Sequence, residues 1–350
     1  MTNQSSTHSI YSWFNKISEQ LSRLNKTDFP QSVLFTGAQG IGREQFILRL
    51  IQDLLCQNSK SAACGQCQSC HLFKSKNHAD FYQLNRLENK QSIGVDQIRS
   101  VIDWVELSAT LDQGKVLFIR EADKLSRSAS NAILKTLEEP PANTIIILLC
   151  EYEKQLLPTI RSRCVHFLLA TPKKEQARDF LINWNNEQAN HINDEQINTL
   201  LTITQNAPFK AIALFESNKL EHRQTMISAL TDIAVNQGSP VLATKEIIKV
   251  INKEPLDYVL YCLLTILIDI IKIQSMKHSK HLMNIDYHQE LIRFANLISL
   301  HEQKSQLFAI YDELQSFFTM TINPLNSQLL LESVLIKWKN CCLNRVDDLK

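Results

Sequence analysis

The chain has 350 residues, of which 44% are hydrophobic and 21% charged, with 9 cysteines and a formal net charge of +1. That balance excludes a disordered or collagen-like chain and excludes nucleic-acid binding driven by bulk positive charge. The length predicts two or three domains.

The polar start, Met1 to Ile10, has no apolar signal core. The expected location is therefore the cytoplasm, where nine cysteines do not build a disulfide framework. Ser32 to Thr36 is a short apolar run that feeds Gly37, as a strand entering a phosphate loop does. Phe46, Ile47, Leu50, Ile51, Leu54 and Leu55 then recur at helical spacing. Phe81 to Leu84 reads as a strand, and Val95, Ile98, Ile102 and Val105 mark a helix face. Val116 to Ile119 predicts a buried strand, and Ala129, Ala132, Ile133 and Leu137 the following helix. Ile145 to Leu149 and Val165 to Leu169 predict two further buried strands. Strands alternating with helices imply a mostly parallel sheet covered on both faces. Beyond Thr171-Pro172 the pattern is helical, first over Lys174 to Glu216 and then to about Leu343, including Gln328 to Trp338. The most apolar run, Val259 to Ile271, is broken by Asp269 and is too short to span a bilayer, so it reads as a buried helix.

The phosphate-loop frame is Gly37-Ala38-Gln39-Gly40-Ile41-Gly42-Arg43-Glu44. A working loop ends in Lys and Ser/Thr, which hold the β and γ phosphates and Mg²⁺. Here those positions are Arg43 and Glu44, and a carboxylate would repel the polyanion. The second acidic element of such a site follows an apolar strand. After Val116 to Ile119 the chain has Arg120 at the metal-positioning place and keeps Glu121 next to it. Taken alone, Arg120 is also acceptable as a solvated charge at a strand end.

Cys56, Cys64, Cys67 and Cys70 have the spacing C-x7-C-x2-C-x2-C. Four thiolates so close can converge on one tetrahedral Zn²⁺, with Gly65 in the turn between them. Neighbouring His71 could replace a thiolate; an iron–sulfur cluster lacks its downstream Cys-Pro partner; unmetallated cysteines are the plain alternative. Four protein ligands would leave no open position, so such a metal would pin a loop and catalyse nothing. Cys150, Cys164, Cys262, Cys341 and Cys342 read as packing residues. Leu134 to Glu139 ends at Pro140 and Pro141, which cannot continue a helix. Ser162-Arg163-Cys164 then places an arginine at a turn just before a strand; for an arbitrary arginine a surface ion pair is the default.

Taken in this order, the Gly37 to Glu44 loop, the cysteine cluster, Gly94 to Arg99, the Leu134 to Pro141 run, Ser162-Arg163-Cys164 and Asn323-Pro324 with Gln328 to Ser333 resemble the AAA+ subunits of the bacterial sliding-clamp loader. The resemblance covers nearly the whole chain. It implies an α/β AAA+ domain over 1–169 with a zinc-binding module at 56–70, a small all-α lid over 170–218 and an all-α oligomerising collar over 219–350. Collar association would be driven by apolar faces, with Val259 to Ile271 and Leu329 to Trp338 as candidates.

In that family ATP binds at subunit interfaces, and the arginine of the Ser-Arg-Cys motif reaches into a neighbour's site. Carried over, Arg163 is an arginine finger acting in trans, with Ser162 and Cys164 setting its backbone. A motor subunit of the family carries Lys-Thr in place of Arg43-Glu44 and Asp in place of Arg120. It has a hydroxyl sensor where this chain has Cys150-Glu151, and a second arginine sensor where Pro208 aligns Phe209. The resemblance therefore implies a non-catalytic stator of the DNA polymerase III assembly, without productive ATP binding of its own. Its implied partners are the tau/gamma ATPase subunits and the delta subunit, and through them the sliding clamp and primer-template DNA, with no membrane. The alternatives are the ATP-hydrolysing motor itself, since Arg43 keeps the charge of lysine and can grip phosphate, and a zinc-binding interaction adaptor unrelated to replication.

Overall fold

Five short apolar runs meet in one parallel sheet whose strand order is β2-β3-β4-β1-β5. The computed structural model describes residues 11–24, 28–58, 62–87, 90–187, 192–217, 219–251, 257–275, 282–298, 301–319 and 327–343. The polar stretch 1–10 and the pair Asn323-Pro324 lie outside the described residues. The chain divides into two compact units, 1–177 and 178–350. The second unit takes in most of the stretch read as lid and all of that read as collar.

In the first unit the order is α1 (Asn15–Ser22), β1 (Ser32–Thr36), α2 (Arg43–Leu55), α3 (Gln68–Lys74), β2 (Phe81–Leu84), α4 (Val95–Glu106), β3 (Lys115–Ile119), α5 (Arg127–Ala132), α6 (Leu134–Glu138), β4 (Thr144–Cys150), α7 (Pro158–Arg161) and β5 (Val165–Leu168). All strand pairs are parallel, with Ser32 opposite Ile146, Val33 opposite Val165 and Lys115 opposite Thr144. β3, β4 and β1 are buried along nearly their whole length, which is why they read as continuous apolar runs rather than alternating ones.

Two expectations need correction. Val165 to Leu169 is not a buried strand: β5 is an edge strand bonded to β1 on one side, and Val165 and Leu168 are 46% and 71% exposed. An apolar run of four residues looks the same at an edge as at the centre of a sheet, so composition could not separate the two. The helix expected across Ala129 to Leu137 is two short ones, with Ile133 between α5 and α6. Ser126 caps the first, its Oγ accepting from the Ala129 N–H at 3.2 Å.

The second unit is helical: α8 (Lys174–Asn186), which begins in the first unit, then α9 (Asp194–Ile203), α10 (Pro208–Glu216), α11 (Lys219–Val235), α12 (Pro240–Ile251), α13 (Asp257–Ser275), α14 (His288–Leu297), α15 (His301–Thr319) and α16 (Ser327–Leu343). α13 contains a window long and apolar enough to cross a membrane. Its Val259, Leu260, Leu263, Ile266, Leu267 and Ile270 are instead spent on the core of this unit. This corrects the expectation that Val259 to Ile271 offers a face to another subunit. On α16 the same core takes Leu330, Leu331, Val334, Leu335 and Trp338, while Leu329 and Ile336 stay exposed. The Trp338 indole N–H donates to the Leu230 carbonyl at 3.2 Å, so the largest core side chain is also satisfied.

Asp269, fully buried on α13, accepts from the backbone N–H groups of Met283 and Asn284 at 3.1 and 2.7 Å and from the Asn284 side chain at 2.8 Å. Asn284 Oδ1 accepts from Arg223, whose guanidinium also pairs with Asp286 at 2.9 Å. The one charge that interrupts the apolar run therefore anchors the segment before α14. Replacing a partner in such a network strands buried donors. Asp269→Ala is expected to destabilise the protein by about 3 kcal/mol and Asp269→Asn by clearly less, read from urea unfolding. Equal losses in the two variants would remove the network from the account.

Candidate nucleotide, finger and metal sites

The loop between β1 and α2 keeps its backbone shape. Gly40 and Gly42 have φ of +80° and +82°, conformations that side chains resist. A Cβ on Gly37 would meet the Leu169 carbonyl oxygen at 2.8 Å, so the loop's first glycine is set by close approach to the chain leaving β5. The groups that fill the loop come from the chain itself. Arg43 opens α2, is buried, and donates from Nη1 to the Gly37 carbonyl at 2.6 Å. The Trp13 indole donates to the Ile41 carbonyl at 3.0 Å, with Tyr11 stacked on it at 5.0 Å.

Glu44 and Arg120, the two residues out of place in the sequence, form an ion pair at 2.8 Å. Both are partly exposed, so the pair contributes about 1 kcal/mol or less to stability. Its larger consequence is local, since an intramolecular cation neutralises the carboxylate where Mg²⁺ would sit. Arg120 is thus more than a solvated charge at a strand end. Glu121 has a left-handed backbone, φ +62°, and faces Arg86 at 3.5 Å. The sensor-like position at the end of β4 is Cys150, whose thiol burial pushes up to about 12. Burial also raises the Asp123 carboxyl above its ordinary range, against the opposing field of Lys124 and Arg43. In the second unit Phe209 packs its ring 5.1 Å from that of Phe180.

Arg163 lies elsewhere. Val165 pairs with Val33 at the beginning of β1, while Gly37 follows its end. The turn carrying Arg163 is therefore at the edge where the strands start, and the phosphate-loop frame at the edge where they finish. The strand between Val33 and Gly37 spans about 13 Å at roughly 3.3 Å per residue. Arg163 does not project freely. Its Nε and Nη2 meet Glu138 Oε2 at 2.9 and 2.8 Å, and its Nη1 donates to the Thr159 carbonyl at 3.0 Å. The Ser162 hydroxyl also donates to the Thr159 carbonyl, at 3.1 Å. Cys164 is half-buried against the sheet core, and burial pushes its thiol up to about 12.

The cysteine knuckle joins α2 to α3. The sulfurs of Cys56, Cys64, Cys67 and Cys70 all lie within 4.8 Å of one another, with Cys56 and Cys67 3.9 Å apart. Zinc–thiolate bonds of about 2.3 Å in a tetrahedron place sulfurs about 3.8 Å apart, so the four atoms fit one such ion. His71 is on the exposed side of α3, and the converging set is the four cysteines. Backbone N–H groups point at the sulfurs: Cys64 to Cys56 at 3.2 Å, Cys67 to Cys64 at 3.3 Å and Cys70 to Cys67 at 3.4 Å. Burial raises the Cys67 thiol, but N–H donation from Cys70 and Gln57 outweighs it and brings it to about 6. Burial pushes Cys70 the other way, to about 12. Gly65 turns the chain between ligands at φ +74°. Behind the knuckle, the Ser69 hydroxyl donates to the Leu55 carbonyl at 2.6 Å and meets His78 Nε2 at 2.8 Å. The Asp80 N–H donates to His78 Nδ1, so Nε2 carries the proton and Ser69 accepts it.

The five-stranded parallel order, the glycine loop between β1 and α2 and the knuckle after α2 agree with the AAA+ fold that the resemblance to clamp-loader subunits implies. Two family models match, one described as DNA polymerase III, delta subunit, over residues 14–173, and one as its C-terminal part over 217–340. The DNA polymerase III subunit delta' of Escherichia coli is 30% identical, with 87% of this chain and 88% of that protein covered. The subunit delta' of Haemophilus influenzae is 28% identical over 92% and 94%. A crystal structure of a gamma subunit-related protein from Thermotoga maritima superposes with a TM-score of 0.44 at 20% identity, covering 92% of this chain and 98% of that one. The chain belongs to the family of DNA polymerase III delta' subunits.

Sequence reasoning missed the residues that complete these sites. Trp13, Arg86 and the Ser69–His78 pair carry no local motif, and the Leu134 to Pro141 run does not say that Glu138 meets Arg163. Opposite charges at two positions that normally share one metal were the available signal for Glu44–Arg120. For the knuckle, Cys67→Ser is expected to release bound metal, measured by elemental analysis, and to make residues 56–70 protease-sensitive while the sheet still unfolds cooperatively. Full metal occupancy in that variant would rule out this ligand set.

Proposed function

We propose that this chain is a stator of the bacterial clamp loader: it does not hydrolyse ATP itself, and it supplies Arg163 as a finger to ATP held by a neighbouring tau/gamma motor subunit. The observation that carries the reading is the placement of Arg163 and the phosphate-loop frame on opposite edges of one sheet, which leaves the arginine no site of its own to serve. At a subunit boundary its guanidinium would stabilise charge on the transferring phosphoryl group. Ser162 and Cys164, one bonded at the turn and one packed beneath it, would hold the backbone from which it extends.

The loop supports the same reading from the other side. Arg43 is engaged by Gly37, and Glu44 by Arg120, so neither the phosphate-binding nor the metal-binding end has a free group of the right charge. The knuckle would hold a structural Zn²⁺. The three-domain division, AAA+ over 1–169, lid over 170–218 and collar over 219–350, is part of the proposal. Among the described residues, exposed Leu242, Phe308, Leu329 and Ile336 are some of the apolar side chains available for collar contacts. The delta subunit would be the second neighbour, and the sliding clamp and primer-template DNA the cargo of the assembly, in the cytoplasm.

Two measurements test this. Isothermal titration of the purified chain with Mg·ATP is expected to show no micromolar binding; a micromolar Kd would favour the motor reading. In the reconstituted loader, Arg163→Ala is expected to leave assembly intact and to lower the ATPase stimulated by primed DNA, since a finger is worth on the order of 10³ in rate at the site it serves. An unchanged rate would remove Arg163 from the mechanism.

A further inference from the structure

We infer that Glu138 is a positioning residue for the finger, fixing the Arg163 guanidinium before a phosphate arrives; this rests on the trans-acting reading of Arg163 given above. Glu138 ends α6, where Pro140 stops the helix, and Arg163 lies at the turn after α7. Two of the segments that carry the family resemblance, Leu134 to Pro141 and Ser162 to Cys164, are thus tied by one ion pair across 25 residues.

Both ends of the pair stand on locked backbone. The Leu137 carbonyl accepts from Ser32 Oγ at 2.8 Å, which fastens the end of α6 to the start of β1. The Glu139 N–H closes the last turn onto the Lys135 carbonyl at 2.9 Å. On the other side the Arg163 N–H donates to the Ile160 carbonyl at 3.1 Å, and Ile160 is fully buried. Only side-chain torsions remain, and these are the freedom that an arginine must lose when it grips a phosphate.

The geometry also leaves capacity. A guanidinium has five N–H donors in one plane. Glu138 takes one on Nε and one on Nη2, and Thr159 takes one on Nη1. One N–H on each terminal nitrogen is left for phosphate oxygens, so Glu138 can stay in place while the finger works. The pair is partly exposed, with side-chain exposures of 29% for Arg163 and 58% for Glu138. Such pairs contribute little to folding, which makes the effect of removing Glu138 on catalysis separable from its effect on stability.

The test uses the complete loader reconstituted with this chain, its motor subunits and delta, with ATP titrated on primed DNA. Glu138→Ala is expected to lower kcat by about threefold to tenfold with KM for ATP nearly unchanged, as misorientation of a charge-stabilising group does. Glu138→Gln keeps an acceptor oxygen and should recover most of the rate. In an Arg163→Ala background, Glu138→Ala should cost nothing more, and size-exclusion profiles should match throughout. A slow Arg163→Ala variant beside a Glu138→Ala variant at or above the full rate would overturn the positioning role and leave the finger standing. A Glu138→Ala loss that persists in the Arg163→Ala background would do the same. An unchanged rate in Arg163→Ala alone would remove both.

Discussion

The parallel polarity of the sheet governs everything else in the first unit. All five strands run the same way, so whatever follows a strand gathers at one edge and whatever precedes a strand gathers at the other. The glycine loop and Arg120 follow β1 and β3, and Cys150 ends β4. The Arg163 turn and the end of α6 lie where β5 and β1 begin. A protein built this way has two chemically distinct rims, and it can lose the chemistry of one without touching the geometry of the other.

The loop rim shows how side chains of this chain engage the frame of a phosphate loop. A bound phosphate would satisfy the N-terminus of α2 and tie the loop to the rest of the domain. Here Arg43 on Gly37, Trp13 on Ile41 and Glu44 on Arg120 tie the loop to the rest of the domain with side chains. At its far end α2 runs directly into Cys56. Asp53, one turn back, accepts from the Ala63 N–H at 2.7 Å. The helix is thus anchored at both ends by interactions of this chain's own residues, with the knuckle serving one end and the filled loop the other.

Much of this was legible in the sequence because it is local. Four cysteines at short spacing, glycines between an apolar strand and an amphipathic helix, and prolines that stop α6 each carry their physics within a few positions. What escaped is long-range. Nothing in Val165 to Leu168 says that the strand has a neighbour on one side only. Glu138 and Arg163 look like two surface charges until the sheet brings them together. Asp269 looked like a blemish in an apolar run; its meaning depends on Asn284 and Arg223, which only the helical packing supplies. That Val259 to Ile271 is a buried helix was legible, but hydrophobicity does not tell whether a helix is buried by its own unit or by another.

The Glu44–Arg120 pair couples the two positions to each other. Each residue makes the other tolerable: the glutamate would otherwise face the glycine loop unneutralised, and the arginine would lack its counter-charge. Restoring an aspartate at 120 alone would set it against Glu44, and restoring a hydroxyl at 44 alone would strand Arg120. Either single reversal passes through a less favourable protein, and the pair must change together to reopen a metal site. The two positions are therefore coupled: a change at either one alone leaves the other without its counter-charge at this rim.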